Sequence, residues 1–264
     1  MLYQAKHFLK FRRKAKNEHG IHSPFVYDLV TKCFYDKEPK PYYKRLKQYR
    51  KALLGDKRTI TVTDFGAGSR VFKGSERKIA AIAKHAGARK KRMKLLARLV
   101  HYFEMQSILE IGTSVGMGTV ALAARSGSQV TSLEGCPETA QVAREMLKRM
   151  GVINVDVVVG RFYDTLESYS EKSEKKLLPS TLDLIYFDGN HAKEATLSYV
   201  NLLLPTVHND TVWILDDIHW SPEMTAAWKA IKAMEMVTVT IDCFWLGFVF
   251  FRKEQAREDF LIRL

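Results

Sequence analysis

The sequence lacks the features that mark membrane, secreted and disulfide-stabilised proteins. No apolar run reaches the roughly 18–20 residues that a membrane-spanning helix needs. The first 16 residues lack an uninterrupted apolar stretch and a small-residue cleavage site, so no secretory signal is predicted. The three cysteines, Cys33, Cys136 and Cys243, form no CxxC pair, which argues against a disulfide framework or a zinc knuckle. We therefore expect a cytoplasmic protein with reduced thiols and no membrane span.

Acidic residues are scarce in the first part of the chain. Residues 1–106 hold 27 Lys and Arg against 8 Asp and Glu, whereas residues 107–264 hold 15 against 21. This asymmetry predicts two segments with different roles, a basic N-terminal extension at 1–106 and a second domain at 107–264. A positive field attracts nucleic acid, anionic lipid or a phosphorylated substrate, and charge alone does not choose among these partners.

Aromatic residues are missing from the densest basic run, residues 84–98, which contains His85 but no Phe, Tyr or Trp. Proteins that bind single-stranded nucleic acid usually interleave basic residues with aromatic stacking platforms. The run instead predicts a helix with one face packed on the protein and its basic side chains in water. The apolar residues of that face are Met93, Leu95, Leu96 and Leu99. We expect weak, sequence-independent binding of nucleic acid and a small-molecule substrate.

The first 106 residues are predicted to be mainly helical. Ser23 and Pro24 suit the N-cap and the first position of a helix at 25–34. Further helices are predicted at 77–84 and 91–103. The charged stretch 36–50, with Pro39 and Pro41, predicts an irregular linker.

From Ser107 onward, short apolar strands alternate with helical segments. The predicted strands are 107–112, 129–134, 155–159, 182–187, 211–215, 237–241 and 246–251. Such alternation predicts an α/β fold. We expect a Rossmann-like, doubly wound, mostly parallel sheet of seven strands with an antiparallel last strand, preceded by the helical extension.

A glycine-rich turn follows the first of these strands in the string SILEIGTSVGMGT, which places Gly112, Ser114 and Gly116 after Glu110. Glycines are needed where the backbone turns tightly and approaches a ligand closely. Glu134 ends the next strand, 24 residues after Glu110. A carboxylate there can accept hydrogen bonds from both hydroxyls of an adenosine ribose. The pair predicts a nucleoside cofactor, and by itself it fits NAD as well.

At these residues the sequence resembles the class I S-adenosylmethionine-dependent methyltransferase family, from residue 107 to about 253. Ser114 replaces the middle glycine of the family turn, as in its O-methyltransferase-like branches. The strings HSPFVYDLV, DFGAGSR and DDIHWSPEM also resemble an uncharacterised bacterial group with a helical N-terminal extension and no known acceptor. The resemblance implies S-adenosylmethionine as the cofactor. The cofactor-binding residues that it implies are Glu110, Gly112, Thr113, Ser114, Gly116, Glu134, Gly135, Gly160, Arg161, Phe162 and Asp188.

Three carboxylates follow the fourth and fifth predicted strands: Asp188, Asp216 and Asp217. The carboxyl ends of parallel strands meet at one edge of a sheet, so these residues are a candidate site for Mg²⁺ or another divalent cation. Metal-dependent O-methyltransferases of the catechol type have an Asp and then an Asp-Asn pair at these places, and Asp217 departs from that pattern. His191 stands where that family has a lysine base. The resemblance therefore implies Asp188 and His191 as catalytic residues, with His191 as a general base.

The predicted function is methyl transfer to an oxygen of a small or medium-sized acceptor, with metal assistance left open. The alternatives are an RNA methyltransferase that uses the basic extension, a non-catalytic binding module and an NAD-dependent dehydrogenase. Residues 59–70 imitate the glycine turn but are followed by no second strand ending in an acid, so we interpret Gly66–Ser69 as a loop near the site. The string GTSVG also imitates a hydrolase nucleophile elbow at Ser114, with Asp217 and His219 as formal triad partners.

Overall fold

The computed structural model describes residues 2–63, 65, 74–168 and 179–264. Packing divides the chain into two compact units. The terminal unit comprises Met1–Asp36 and Pro179–Leu264, and the central unit comprises Lys37–Leu178. The boundary between residues 106 and 107 that the charge asymmetry predicts stays a prediction.

Helices and strands alternate through most of the described chain. The helices are α1 Leu2–Lys14, α2 Pro24–Leu29, α3 Tyr43–Leu54, α4 Ile79–His85, α5 Lys90–Tyr102, α6 Thr119–Leu122, α7 Pro137–Arg149, α8 Phe162–Ser168, α9 Lys193–Leu203 and α10 Pro222–Lys232. The strands are β1 Thr59–Thr61, β2 Glu76–Lys78, β3 Ser107–Ile111, β4 Gln129–Glu134, β5 Val155–Val159, β6 Leu184–Phe187, β7 Val212–Asp216, β8 Val239–Asp242, β9 Leu246–Phe250 and β10 Glu258–Leu261. A π-helical turn, Val30–Phe34, continues α2, and 3₁₀ turns cover Glu18–Gly20 and Leu204–Thr206.

The terminal unit contains five sheet strands in the order β10-β8-β9-β7-β6. Strand β6 is parallel to β7, whereas β9 is antiparallel to both β7 and β8. Every residue of β6, β7, β8 and β9 is buried, as expected of strands that are covered on both faces. Phe11 and Ala15, at the end of α1 and just after it, pack with Phe244 in a small apolar cluster.

The central unit contains three parallel strands in the order β3-β4-β5, together with the separate antiparallel pair β1 and β2. The register of β3 and β4 places Glu110 opposite Ser132, and the register of β4 and β5 places Glu134 opposite Val159. Strand β4 therefore brings a polar residue beside Glu110 and ends in a carboxylate next to the end of β5.

The predicted α/β class with a mostly parallel sheet is confirmed, but the sheet strands number eight among the described residues rather than seven. The additional strand is β10, which is parallel to β8, so the antiparallel strand β9 is not the last. Strand β10 is too short and polar to be predicted, because Glu258 and Asp259 precede its buried Phe260.

Helix α3 contradicts the predicted irregular linker at 36–50. The prolines of that stretch, Pro39 and Pro41, lie before the helix, which begins at Tyr43. Its buried residues Leu46, Tyr49 and Leu53 recur at helical spacing. The charged residues around them masked this pattern.

The other predicted helices of the extension are found with shifted ends. The helix at 25–34 is observed as α2 and its π-helical turn, and Ser23 caps it by accepting a hydrogen bond from the backbone N–H of Val26. Helix α4 begins at Ile79, later than predicted, because Glu76–Lys78 pairs with β1. The packed face predicted for α5 is confirmed, since its four apolar residues are buried.

All three cysteines are buried, and none of them forms a disulfide bond. Among the described residues, no helix combines the length and the apolar character that crossing a bilayer requires.

The N-cap of α10 provides a test of the helix assignment. The hydroxyl of Ser221 accepts a hydrogen bond from the backbone N–H of Met224 at 3.1 Å. We expect Ser221→Ala to lower the free energy of unfolding by about 1 kcal/mol in urea denaturation, because one N-terminal N–H loses its partner. The control is Ser126→Ala, at an exposed turn residue, which should change stability by less than about 0.5 kcal/mol. Equal losses in the two variants would contradict the cap.

Candidate functional site

The glycine turn between β3 and α6 has a backbone that ordinary residues rarely adopt. The φ angles of Gly112, Ser114 and Gly116 are 107°, 48° and 79°. An added Cβ at Gly116 would lie 2.3 Å from the hydroxyl oxygen of Tyr49, so both conformation and space require glycine there. Serine lacks the conformational freedom of glycine, so the positive φ of Ser114 needs support from neighbouring groups.

Tyr49 of α3 supports the turn from one side. Its side chain is buried, and its hydroxyl donates a hydrogen bond to the backbone oxygen of Val115 at 3.0 Å. Burial, reinforced by the nearby Glu110 carboxyl, raises the pKa of Tyr49, so the hydroxyl keeps its proton and remains a donor.

A buried network of side-chain hydroxyls lies beneath the turn. One carboxyl oxygen of Glu110, Oε2, accepts hydrogen bonds from Thr119 Oγ1 at 2.5 Å and Ser132 Oγ at 2.6 Å. Because Ser132 donates to Glu110, the 2.6 Å contact between Thr113 Oγ1 and Ser132 Oγ is donated by Thr113. Glu110 and Thr113, predicted as cofactor-binding residues, therefore stabilise the turn from inside the central unit.

The second carboxyl oxygen of Glu110, Oε1, is buried and has no hydrogen-bond partner among the described residues. Burial raises the pKa of Glu110 to about 8, against the opposing effect of the hydrogen bonds from Ser132 and Thr119. A neutral carboxyl is the form that burial favours, because an ionised one would be left partly unsatisfied in an apolar environment.

Glu134, at the end of β4, connects two loops. Its Oε2 accepts the backbone N–H of Ser114 at 2.7 Å, and its Oε1 accepts the backbone N–H of Cys136 at 2.9 Å. Burial raises the pKa of Glu134, and the hydrogen bonds from Cys136 and Ser114 oppose that rise. The two N–H donors, one on each oxygen, fix the orientation of the Glu134 carboxyl group at the end of β4.

An aromatic residue that the sequence did not single out lies beside Glu134. The ring of Phe65 approaches Gly135 so closely that an added Cβ there would be 2.8 Å from the ring. The guanidinium carbon of Arg161 lies 5.7 Å from the centre of the Phe65 ring, and 47% of Phe65 is exposed. The predicted loop near the site, Gly66–Ser69, lies outside the described residues.

The remaining predicted cofactor residues of the central unit follow β5. An added Cβ at Gly160 would lie 2.6 Å from the hydroxyl oxygen of Thr165, Arg161 is exposed, and Phe162 begins α8. The ends of β3, β4 and β5 thus bring together the glycine turn, Glu134 and the Phe65–Arg161 pair. Asp188 belongs to the terminal unit.

Two of the three predicted metal ligands share a tyrosine hydroxyl. Tyr186 Oη lies 2.8 Å from Asp216 Oδ2 and 3.0 Å from Asp188 Oδ2, and it has one hydrogen to share between them. The other oxygen of Asp216 accepts the backbone N–H of Asp217 at 2.7 Å. Within the parts of the chain that the structure describes, no group of three or more His, Cys, Asp and Glu side chains could hold a metal ion. The metal set Asp188, Asp216 and Asp217 stays a prediction.

The loop after β6 carries the predicted base. Asn190 and His191 have positive φ angles of 64° and 27°, and Asn190 Nδ2 donates to the hydroxyl of Tyr199 at 3.0 Å. His191 is half-buried. The loop is conformationally strained at the residue proposed for catalysis, which is common at functional sites.

His219 bonds within its own unit rather than to Asp217. Its Nε2 lies 2.7 Å from Asp242 Oδ2, and its Nδ1 lies 3.3 Å from Thr225 Oγ1. The imidazole has both nitrogens in contacts near α10, as a structural histidine does, and this geometry gives the hydrolase alternative no support.

Comparisons with known proteins find similarity to methyltransferases. Residues 109–218 match the family model described as a methyltransferase domain. The catechol O-methyltransferase of Mycobacterium tuberculosis is 34% identical over 128 residues, which cover 47% of this chain and 54% of that protein. A protein-L-isoaspartate O-methyltransferase of Methanoculleus marisnigri is 41% identical over 69 residues, or 25% of this chain and 31% of that protein. The chain therefore spans about half the length of the first of these curated relatives and about a third of the second.

Solved structures share the fold at low sequence identity. A methyltransferase of Podospora anserina with bound S-adenosylhomocysteine superposes with a TM-score of 0.58 at 14% identity, covering 88% of this chain and 97% of its own. The O-methyltransferase TomG of Streptomyces achromogenes, in complex with S-adenosylmethionine, superposes with a TM-score of 0.56 at 17% identity, covering 86% and 95%.

The buried Glu110 predicts a pH dependence of stability. Its pKa of about 8 in the native state lies above the ordinary value of 4.5, so the native state holds a proton that the unfolded state releases. The stability that this proton contributes is complete below about pH 4.5 and is lost as the pH rises toward about 8. Glu110→Gln should remove this loss, so the variant should gain on the order of a few kcal/mol relative to wild type between about pH 5 and about pH 8.

Urea denaturation at several pH values measures this difference. The control is Glu138→Gln, at an exposed position of α7, whose stability should follow the wild-type curve. Parallel curves for wild type and Glu110→Gln would show that Glu110 is not a buried, protonated carboxyl.

Proposed function

We propose that this chain is a class I S-adenosylmethionine-dependent methyltransferase of the O-methyltransferase-like type, and that it transfers a methyl group to the hydroxyl of a small aromatic acceptor. The observation that carries the proposal is the carboxyl group of Glu134, which the backbone N–H groups of Ser114 and Cys136 hold beside the glycine turn. The similarity to a catechol O-methyltransferase supports the acceptor class.

The residues of the central unit fit the proposed cofactor. Glu134 would accept hydrogen bonds from the ribose hydroxyls, and the turn at Gly112–Gly116 would lie against the methionine part. The exposed ring of Phe65, with Arg161 beside it, offers a flat apolar surface for adenine next to Gly135. When bound, S-adenosylmethionine supplies a methyl group on a positively charged sulfur, which an acceptor oxygen takes by in-line displacement.

The acceptor side is proposed to work without a metal. The hydroxyl of Tyr186 contacts the carboxylates of both Asp188 and Asp216. Its hydrogen therefore bridges the two carboxylates, as a cation would in a metal site. In this proposal Asp188 stays oriented by Tyr186, and His191 takes the proton that the acceptor hydroxyl loses. A neutral imidazole is suited to that task near neutral pH.

S-adenosylhomocysteine is expected to stabilise the protein saturably in thermal-shift and calorimetric titrations, because a ligand of the native state alone raises stability with its concentration. NAD is expected to have no such effect. Glu134→Ala should weaken S-adenosylhomocysteine binding by roughly 1–3 kcal/mol, the range for hydrogen bonds to a charged group. Glu138→Ala, at an exposed acid four residues further on, should bind like wild type.

The melting temperature of each variant without ligand separates a binding defect from a folding defect. Tight binding of NAD, or no heat with S-adenosylhomocysteine, would contradict the proposed cofactor.

The absence of a metal requirement is a separate prediction. Release of S-adenosylhomocysteine with a panel of phenols and catechols should continue in excess EDTA, because the Asp188 and Asp216 oxygens already share the Tyr186 hydroxyl. Titration of Mg²⁺ into the protein with S-adenosylhomocysteine should give no saturable heat. Activity that EDTA abolishes and Mg²⁺ restores would contradict the metal-free proposal and support the predicted set Asp188, Asp216 and Asp217.

A further inference from the structure

A basic cavity of about 280 Å³ lies between α3 and α5 in the central unit. Three of its cationic side chains, Lys47, Arg50 and Lys51, come from α3, and two, Lys90 and Lys94, come from the start of α5. The volume is near the lower end of pockets that hold small molecules, roughly 300 Å³. The cavity is therefore large enough to hold a compact ligand.

The described residues around the cavity do not neutralise its charge. None of the described residues that line it is acidic, and neither α3 nor α5 contains an Asp or Glu. Within the part of the chain that the structure describes, none of the five cations forms an ion pair. Cations gathered in a concave surface repel one another and raise the local concentration of anions.

Two contacts hold the wall of the cavity in place. The ammonium of Lys94 lies 4.2 Å from the ring centre of Tyr43, and Arg98 donates a hydrogen bond to the Tyr43 hydroxyl at 3.1 Å. By contrast, Arg50 Nε is buried and has no hydrogen-bond partner among the described residues. A buried guanidinium N–H without an acceptor is unfavourable, and the same guanidinium lines the cavity, where an oxyanion would pair with its charge.

We propose that this cavity binds the phosphate groups of a small molecule, with a diphosphate as the best match to five cations. Phosphate oxygens pair with arginine in a bidentate way and with lysine as a point charge, and both side chains are present. An extended nucleic-acid strand fits the observations less well, because the basic residues surround a cavity and Tyr43 is the only aromatic residue that lines it.

Helix α3 connects this cavity with the glycine turn. One face carries Lys47, Arg50 and Lys51, while Tyr49 contacts the backbone of Val115 and the space beside Gly116. A phosphate-bearing ligand thus binds on the same helix that supports the candidate cofactor site. The site does not depend on methyl transfer, and it goes beyond the proposed function.

Calorimetric titration with sodium pyrophosphate, without cofactor, tests the site directly. Wild type should bind one equivalent saturably at a fixed, moderate salt concentration, and sodium chloride at matched ionic strength should give no such signal. Lys47→Gln with Lys90→Gln, at two exposed lining positions, should weaken binding at least about tenfold, since each removes a phosphate contact.

The matched control is Lys44→Gln with Lys91→Gln. These lysines lie on the same two helices, are exposed and do not line the cavity, so the pair removes the same charge and should change binding less than about threefold. Arg50→Gln should weaken binding too, with thermal melts confirming that each variant folds.

Absence of pyrophosphate binding, or equal weakening by the two double variants, would overturn the proposal. Oligonucleotide binding that falls log-linearly with salt and responds equally to both pairs would also overturn it, in favour of a general nucleic-acid surface. Because no cofactor is present in these titrations, failure of the methyl-transfer proposal would leave their outcome unaffected.

Discussion

The hydrogen bonds that Glu134 accepts hold together the loops at the ends of β3 and β4. One carboxyl oxygen holds the backbone of Ser114, and the other holds that of Cys136. The hydrogen bond from the backbone N–H of Ser114 helps to offset the cost of the positive φ of that residue. The shape of the glycine turn thus depends on a residue from the neighbouring strand. The carboxyl group of Glu134 is oriented before a ligand binds, so binding requires little further ordering of this side chain.

Hydroxyl donors stabilise buried and half-buried carboxyl groups in both units. In the central unit, Ser132 and Thr119 donate to Glu110, while in the terminal unit Tyr186 contacts Asp188 and Asp216. A buried carboxyl without partners is costly, and a hydroxyl supplies a hydrogen bond without bringing a second charge into the interior. The cations of the cavity between α3 and α5, by contrast, face no acid among the described residues that line it.

Much of the fold and part of the candidate site could be predicted from the sequence. Strands 129–134 and 155–159 are found at the predicted residues, and the glycine turn and Glu134 lie together as their spacing indicates. These features depend on local periodicity and on the register of neighbouring parallel strands. Helix α3 was missed because the prolines and charges around it outweighed its apolar spacing, and β10 was missed because a short polar strand has no pattern of its own.

Local patterns in the sequence specify the α/β class, the glycine turn, the acid that ends β4 and the packed face of α5, because each is encoded by neighbouring residues in a regular pattern. The groups that surround the glycine turn are set by tertiary packing instead. Tyr49 contacts Val115, Phe65 contacts Gly135 and Tyr186 contacts Asp216, and each pair joins residues far apart in the chain. The surroundings of the predicted metal ligands also depend on contacts of this kind. No spacing in the sequence shows that the hydroxyl of Tyr186 lies between Asp188 and Asp216. Long-range packing sets these neighbours, and it leaves no periodic trace in the order of the residues.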